Sequence, residues 1–243
     1  MEKQITKLDW TKFEPQFGSW AYKIKPFFMN GGFDKIYEFL KHESGRGISI
    51  APESCNTFRT FKETDIDNVK TVIVGLAPYH SFYNGKSIAD GLCMSCSITG
   101  KLQPSLSQFY NAIERELYNG LSLEGYKNPD LSFLSKQGVL LLNLALTTSK
   151  NKPGDHVLLW EPFMKFLFEE VFDTIRVPVI LLGREAAKIE KYIAPFTWTF
   201  KVSHPASAAY GNIDWSSEGI FKKVEKILLD TNNHKVEWLD LIK

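Results

Sequence analysis

Three stretches of this chain hold residue types that can do chemistry. Gly75-Leu76-Ala77-Pro78-Tyr79-His80 closes the apolar run Thr71–Val74 and sets a phenol and an imidazole just after a turn. Asn143 follows the apolar run Gly138–Leu142, and its amide offers both a hydrogen-bond donor and an acceptor. The plainer reading of Asn143 alone is a polar cap on a strand end. His204 ends the strand-like Thr199–Ser203 run and precedes Pro205. An imidazole there can donate to developing negative charge, or simply be a surface histidine in a loop. Cys93-Met94-Ser95-Cys96 has C-x-x-C spacing, but a metal needs two further ligands and no second pair exists. The pair therefore reads as buried thiols, with no metal and no cofactor expected.

The elements that must position these residues follow from periodicity. Thr71–Val74, Gly138–Leu142, Val177–Leu182 and Trp198–Val202 are short apolar runs with strand character. Helical stretches Ser107–Tyr118, Trp160–Phe172, Glu185–Ile193 and Ser217–Asp230 separate or follow them. Strand–helix alternation of this kind predicts an α/β domain with a parallel sheet. Ligands of such sheets bind beyond the carboxyl ends of the strands, where each stretch above falls, so one shared site is expected. Phe33–Lys41 suits a further helix, broken at Ser44-Gly45-Arg46-Gly47. Residues 1–32, rich in aromatics from Trp10 to Phe28, read as an N-terminal extension packed on a main domain spanning 33–243.

Composition narrows the function classes. A chain of 243 residues with 44% hydrophobic and 14% aromatic content can bury a full core. A net charge of +1 excludes an overall basic coat but leaves room for a local basic groove. Met1-Glu2-Lys3-Gln4 opens no apolar leader, and no run reaches membrane-span length. Three cysteines, an odd number, fit reduced thiols. A cytoplasmic protein of a prokaryote or phage-infected cell is expected, or a nuclear one for a eukaryotic virus.

The motif series resembles the uracil-DNA glycosylases, most closely those of family 1. That family usually reads Gly-Gln-Asp-Pro-Tyr-His where this chain has Gly75–His80. Gly91-Leu92-Cys93-Met94-Ser95 is similar to its Gly-Leu-Cys-Phe-Ser, and Gln103-Pro104-Ser105-Leu106 to its Pro-Pro-Ser-Leu. Gln137–Asn143 is close to its Gln-Gly-Val-Leu-Leu-Leu-Asn, and Asp155-His156 with Trp160-Glu161 to its Ser-His and Trp-Glu. Leu181-Leu182-Gly183 falls at its apolar strand ending in Gly-Ser, and His204-Pro205, with Tyr210 beyond, at its His-Pro-Ser-Pro-Leu-Ser loop. The match runs in order from about Phe33 to about Asp230. It implies a central parallel four-stranded sheet flanked by helices on both faces. It also implies a monomeric DNA glycosylase that flips a base into a pocket and cuts its glycosidic bond.

By the same resemblance, Asn143 reads the O4 and N3–H edge of uracil and His204 donates to O2 of the departing base. Leu76, Ala77, Tyr79 and Met94 line the base, with Tyr79 against C5 excluding the thymine methyl. His80, Gln103, Pro104, Ser105, Gly183, Arg184, Pro205, Ser207, Ala208 and Tyr210 hold DNA. The departures cluster at functional positions. Leu76 and Ala77 replace Gln and the catalytic Asp, Met94 an aromatic that stacks on the base, and Ala208 a leucine that wedges into the duplex. Gly-Leu-Ala-Pro loops occur in other branches of the superfamily, some of them active, but those usually carry a four-cysteine iron–sulfur cluster. Asp90 and Asp155 are the candidates for a displaced acid. The expectation is weakened or retargeted excision of uracil or a related pyrimidine, with single strands favoured over duplex. The alternative is an inactive DNA-binding protein such as a replication accessory factor.

Overall fold

The computed structural model describes residues 6–211, 213–232 and 234–241. Met1–Gln4, read above for a leader, and the first five residues of the N-terminal segment lie outside the described residues, as do 242–243. Strands β1 (Thr71–Gly75), β2 (Val139–Asn143), β3 (Val179–Leu182) and β4 (Thr199–Val202) form a four-stranded parallel sheet in the order β2-β1-β3-β4. The helices that matter here are α1 (Ala21–Met29), α2 (Asp34–Gly45), α3 (Pro104–Leu117), α4 (Val157–Phe166), α5 (Gly183–Ala187), α6 (Pro205–Gly211) and α7 (Ile220–Asn232).

The strands read as near-continuous apolar runs because both faces of the sheet are covered. Val72, Val74, Leu140, Leu142, Val179 and Leu181 enter one core with residues of α1, α2, α4 and α5. Ile73, Val139, Leu141, Ile180, Leu182 and Val202 enter the other, with α3, α6 and α7. Successive side chains thus alternate between the layers, as the strand period of two requires. In the N-terminal segment Phe17, Trp20, Ile24 and Phe28 are buried in the first core. Trp20 Nε1 donates to Thr64 O at 2.7 Å, which satisfies the one polar atom of that ring. Each such buried aromatic contributes up to about 1.5–3 kcal/mol of transfer free energy.

Element bounds differ from the pattern for physical reasons. β1 and β2 extend through Gly75 and Asn143, which pair in the ladder. β3 starts after Pro178, which has no N–H to give; its carbonyl accepts from Val72 N at 2.9 Å. α3 begins at Pro104, ahead of the predicted Ser107, because proline suits the first helical position. The predicted Trp160–Phe172 helix begins at Val157 and widens into a π turn at Leu167–Val171. The predicted Glu185–Ile193 helix is α5 followed by a 3-10 turn, Lys188–Tyr192. Two small antiparallel pairs are additions: Ile50–Ala51 with Thr148–Ser149, and a hairpin of Phe82–Tyr83 with Lys86–Ser87. No helix among the described residues is long and apolar enough to cross a membrane.

Candidate active site

The carboxyl ends of β1, β2 and β4 converge on one cavity of about 370 Å³. Leu76, Ala77, Tyr79, His80, Met94, Gln103, Pro104, Ser105, Asn143, His204 and Tyr210 line it. A second, apolar cavity of about 440 Å³ lies across Leu76 and Pro153. Its rim charges are spent on each other, Lys188 on Glu185 and Lys191 on Glu161, and it contains neither Asn143, Tyr79 nor His204. The chemistry-bearing groups are in the first.

Asn143 stands opposite Gly75 at the ends of β2 and β1. A Cβ at residue 75 would lie 2.8 Å from Asn143 Oδ1 and 2.6 Å from Cys93 Sγ, so only glycine leaves the amide room. Leu144 N donates to Gly75 O at 2.9 Å and Ala145 N to Leu76 O at 3.0 Å, which ties the two loops together past the strand ends. Asn143 is 3% exposed, yet no described protein group hydrogen-bonds its amide. A buried amide without a partner is paired to a ligand or water when the site is in use. Burial pushes the adjacent Cys93 thiol up to about 12, so it stays protonated.

His204 is positioned by β4 and α6. Ala206 N donates to His204 Nδ1 at 3.1 Å, so the ring caps the helix and its Nδ1 lone pair is occupied. In the neutral ring the proton then sits on Nε2, which has no protein partner. Protonating Nδ1 would set two donors face to face, and burial independently pushes the imidazole below its ordinary value. Gly183 makes this approach possible: a Cβ there would lie 3.1 Å from His204 Cβ.

Tyr79 is clamped as a wall. The Met94 carbonyl can only accept, so Tyr79 Oη donates to it at 3.1 Å and the Ser105 hydroxyl donates to Tyr79 at 2.8 Å. Burial pushes the phenol upward. Met94 has φ 64, a left-handed conformation costing about 1–2 kcal/mol for a side-chain-bearing residue. The Ser105 hydroxyl, expected on phosphate, is committed to Tyr79 instead. Its N–H, in the first turn of α3, remains unspent within the helix. Gln103 Nε2 reaches Cys96 Sγ at 3.6 Å.

Other expected residues fall elsewhere. Ala208 is 4% exposed and packs in the second core, so it does not line the cavity. Its place in α6 turns it inward, and Tyr210, 88% exposed, projects from the rim instead. Pro205 is buried, Ser207 spends its hydroxyl on His204 O at 2.7 Å, and Arg184 is exposed beside Gly183 outside the cavity. Neither candidate acid reaches the cavity. Asp90 is 1% exposed, pairs with Arg59 at 3.0 Å and accepts from Ser95 Oγ at 2.7 Å and Ser97 N at 2.9 Å. Asp155 accepts from Thr148 Oγ1 at 2.8 Å and Ser149 N at 3.0 Å. His156, buried and pushed down by desolvation, lies between Thr147 and Ser149 at 2.9 and 3.1 Å and orders the same loop. Cys93 and Cys96 are buried free thiols and Cys55 is exposed. Among the described residues no cluster could hold a metal.

The sequence reading did not single out Pro153, Ala206, Ala209, Ser81 or Ile88 as cavity residues. Pro153 and Ile88 sit in loops of no motif, and nothing local marks them. The Phe82–Ser87 hairpin did carry a signal, Asn84-Gly85 between two strand formers, both with positive φ.

Comparison with known proteins agrees with this geometry. Residues 61–228 match the family model described as the uracil DNA glycosylase superfamily. A uracil-DNA glycosylase of Pseudomonas aeruginosa (strain UCBPP-PA14) is 31% identical over 224 residues, covering 90% of this chain and 93% of its own. One from Francisella tularensis subsp. tularensis (strain WY96-3418) is 30% identical over 224 residues, covering 89% and 94%. Among solved structures, a mimivirus UNG variant in complex with UGI superposes with a TM-score of 0.79 at 21% identity, covering 96% of this chain and 91% of that one.

Proposed function

Since the chain belongs to the uracil DNA glycosylase superfamily, we propose that its cavity takes a nucleotide extruded from DNA and hydrolyses the N-glycosidic bond of uracil or a related modified pyrimidine. One observation carries this reading. A neutral His204, its Nδ1 held by Ala206 N–H, and an unpartnered Asn143 amide line the same cavity. The amide matches the donor–acceptor edge of a pyrimidine. As the bond between C1′ and the base nitrogen breaks, its electron pair leaves with the base. Nε2–H of His204 stabilises the resulting anion by a hydrogen bond. Removing one such donor costs about 10²–10³ in rate. Tyr79, fixed at both Met94 O and Ser105, limits bulk at one edge of the ring. Water then adds to C1′ of the sugar cation, and the proton it gives up passes to the departed base anion or to solvent.

No carboxylate lines this cavity among the described residues. The activity is therefore weaker than a carboxylate-assisted one by up to the contribution of a general base, about 10²–10⁴-fold. Leu76, Ala77 and Met94 make the cavity roomy and apolar, which suits a base other than uracil as well. Single-stranded DNA is the favoured substrate, since Ala208 is small and turned inward and so offers no wedge of its own. The missing acid equally supports a second reading, a protein that binds DNA without cutting it.

The test is base release from a labelled single strand with one central uracil, from the matched U·G duplex, and from a thymine control. Wild type, His204→Ala and Ala77→Asp are compared. Release by wild type that falls about 10²–10³-fold in His204→Ala supports excision. No release by wild type from uracil or modified pyrimidines, with activity only in Ala77→Asp, moves the function to DNA binding.

A further inference from the structure

The Phe82–Ser87 hairpin stands directly beside the cavity. Ser81 and Ile88, at its base, line the cavity, and Ile88 N donates to Ser81 O at 3.1 Å. Strand residues two apart share a face. Tyr83 and Lys86, a cross-strand pair, therefore continue outward the face that Ser81 and Ile88 present to the cavity. Phe82 points to the other side, into a separate groove with Ile50 and Thr147. Tyr83 is 57% exposed, with no ring stacked on it and no hydrogen bond to its hydroxyl.

Cations predominate on this side of the mouth: the acids near it are engaged, Glu53 accepting from Ser87 N at 3.4 Å and Asp155 from Thr148 Oγ1 and Ser149 N. Lys86, Lys150 and Lys152 are exposed, and none of them has an acidic partner among the described residues. The turn bearing Lys150 and Lys152 is fixed to the hairpin base, since Asn151 N donates to His80 O at 3.0 Å. Lys150 Nζ lies over the Phe82 ring, 5.4 Å from its centroid, so Lys86 and Lys152 are the cations of the three without a partner among the described residues. The next residue, Pro153, again lines the cavity. An exposed aromatic ring set among free ammonium groups along one path is the composition of a single-strand binding surface.

We propose that this hairpin is a strand-binding lip: Tyr83 stacks on the base neighbouring the nucleotide in the cavity of a single-stranded DNA, and Lys86 pairs with a phosphate of that strand. Two strand residues carry Tyr83 about 7 Å beyond Ser81, within reach of an adjacent nucleotide. A base still paired in duplex offers no free face, so the contact belongs to single strands. The proposal rests on the reading that the cavity receives a nucleotide from DNA, but not on whether the bond is cut.

The experiment is fluorescence anisotropy with a labelled uracil-containing single strand and its matched duplex, run alongside the release assay. Tyr83→Ala raises Kd for the single strand about tenfold, within the range for loss of one base–aromatic stack. Tyr83→Phe, which keeps the ring, retains the affinity. Lys86→Gln lowers the slope of log K against log salt by about 0.7, one phosphate's worth for a single strand. Single-strand Kd unchanged in both Tyr83→Ala and Lys86→Gln overturns the lip, whatever the release assay gives. Equal loss on duplex and single strand overturns stacking on an unpaired base. A Tyr83 effect on binding without any base release supports the lip and refutes excision, so the two readings fail separately.

Discussion

Gly75→Ala probes the cavity floor with one methyl group. The added Cβ would lie 2.6 Å from Cys93 Sγ and 2.8 Å from Asn143 Oδ1, where ordinary contact begins at 3.4 Å. The sulfur must retreat by at least 0.8 Å and the amide oxygen by at least 0.6 Å. Neither moves freely: Cys93 N is tied to Leu141 O at 3.1 Å, and Asn143 is the last residue of β2. Overpacking of this kind costs about 1–3 kcal/mol. At about 2–4 °C per kcal/mol for a chain of this size, Tm falls by several degrees. Activity falls further, because a misplacement approaching 1 Å in a reacting geometry costs about 10²-fold. Single-turnover base release and thermal unfolding, measured on the same preparations, separate the two effects. Adding Cys93→Ala removes the sulfur clash and recovers part of the Tm, while the Asn143 clash and the slow rate remain. A folded Gly75→Ala protein that releases base at the wild-type rate would refute the assignment of Asn143 as base reader. Recovery of rate together with Tm in the double variant would place the effect on the sulfur instead.

Two further outcomes follow from the site. Burial pushes His204 and His156 below the ordinary 6.5, so between that value and the lowered one the unfolded chain binds protons that the folded chain refuses. Their contribution to stability is whole above 6.5 and is lost as pH falls through the lowered values. Urea midpoints should drop on acidification from about pH 7 to 5, less steeply in His204→Gln, and nitrogen NMR should place the His204 proton on Nε2. Equal slopes in wild type and His204→Gln would contradict the buried, capped ring. Tyr210→Ala should slow release from a single strand about tenfold through loss of a stacking face, and from duplex by more, where the ring must also hold an opened stack. An unchanged rate on both substrates would remove Tyr210 from the DNA path.

The sheet was legible because its strands are buried on both faces and read as apolar runs between turn residues. The site was legible where a motif meets a strand end: Asn143 and His204 reach one cavity because parallel strands put all their carboxyl ends on one edge. Two things were hidden. Ser105 and Asp90 each have a residue type suited to the site, yet their atoms are committed to Tyr79 and Arg59, partners that only the tertiary structure brings close. The side a residue faces within α6 was also hidden. Eight residues of loop-like sequence, His204 to Gly211, fold as a capped helix, and helical geometry sends Ala208 into the core and Tyr210 to solvent.

The cavity and its surroundings divide the work by charge. No carboxylate, ammonium or guanidinium lines the cavity among the described residues, and Tyr79, Cys93 and His204 are each held in the uncharged form. Charge that develops on a departing base then meets only dipoles, fixed before the reaction by the cap on His204 and the clamp on Tyr79. Dipoles of that kind need little reorganisation and are weakly screened in a buried site. The free lysines lie outside, on the 86–152 side of the mouth, where salt screens them fully. Salt should therefore weaken capture of the strand while leaving the rate of a bound strand nearly constant. On the proposed reading, that separation lets a cavity without a carboxylate stabilise a departing base, since the stabilisation does not depend on an ion pair.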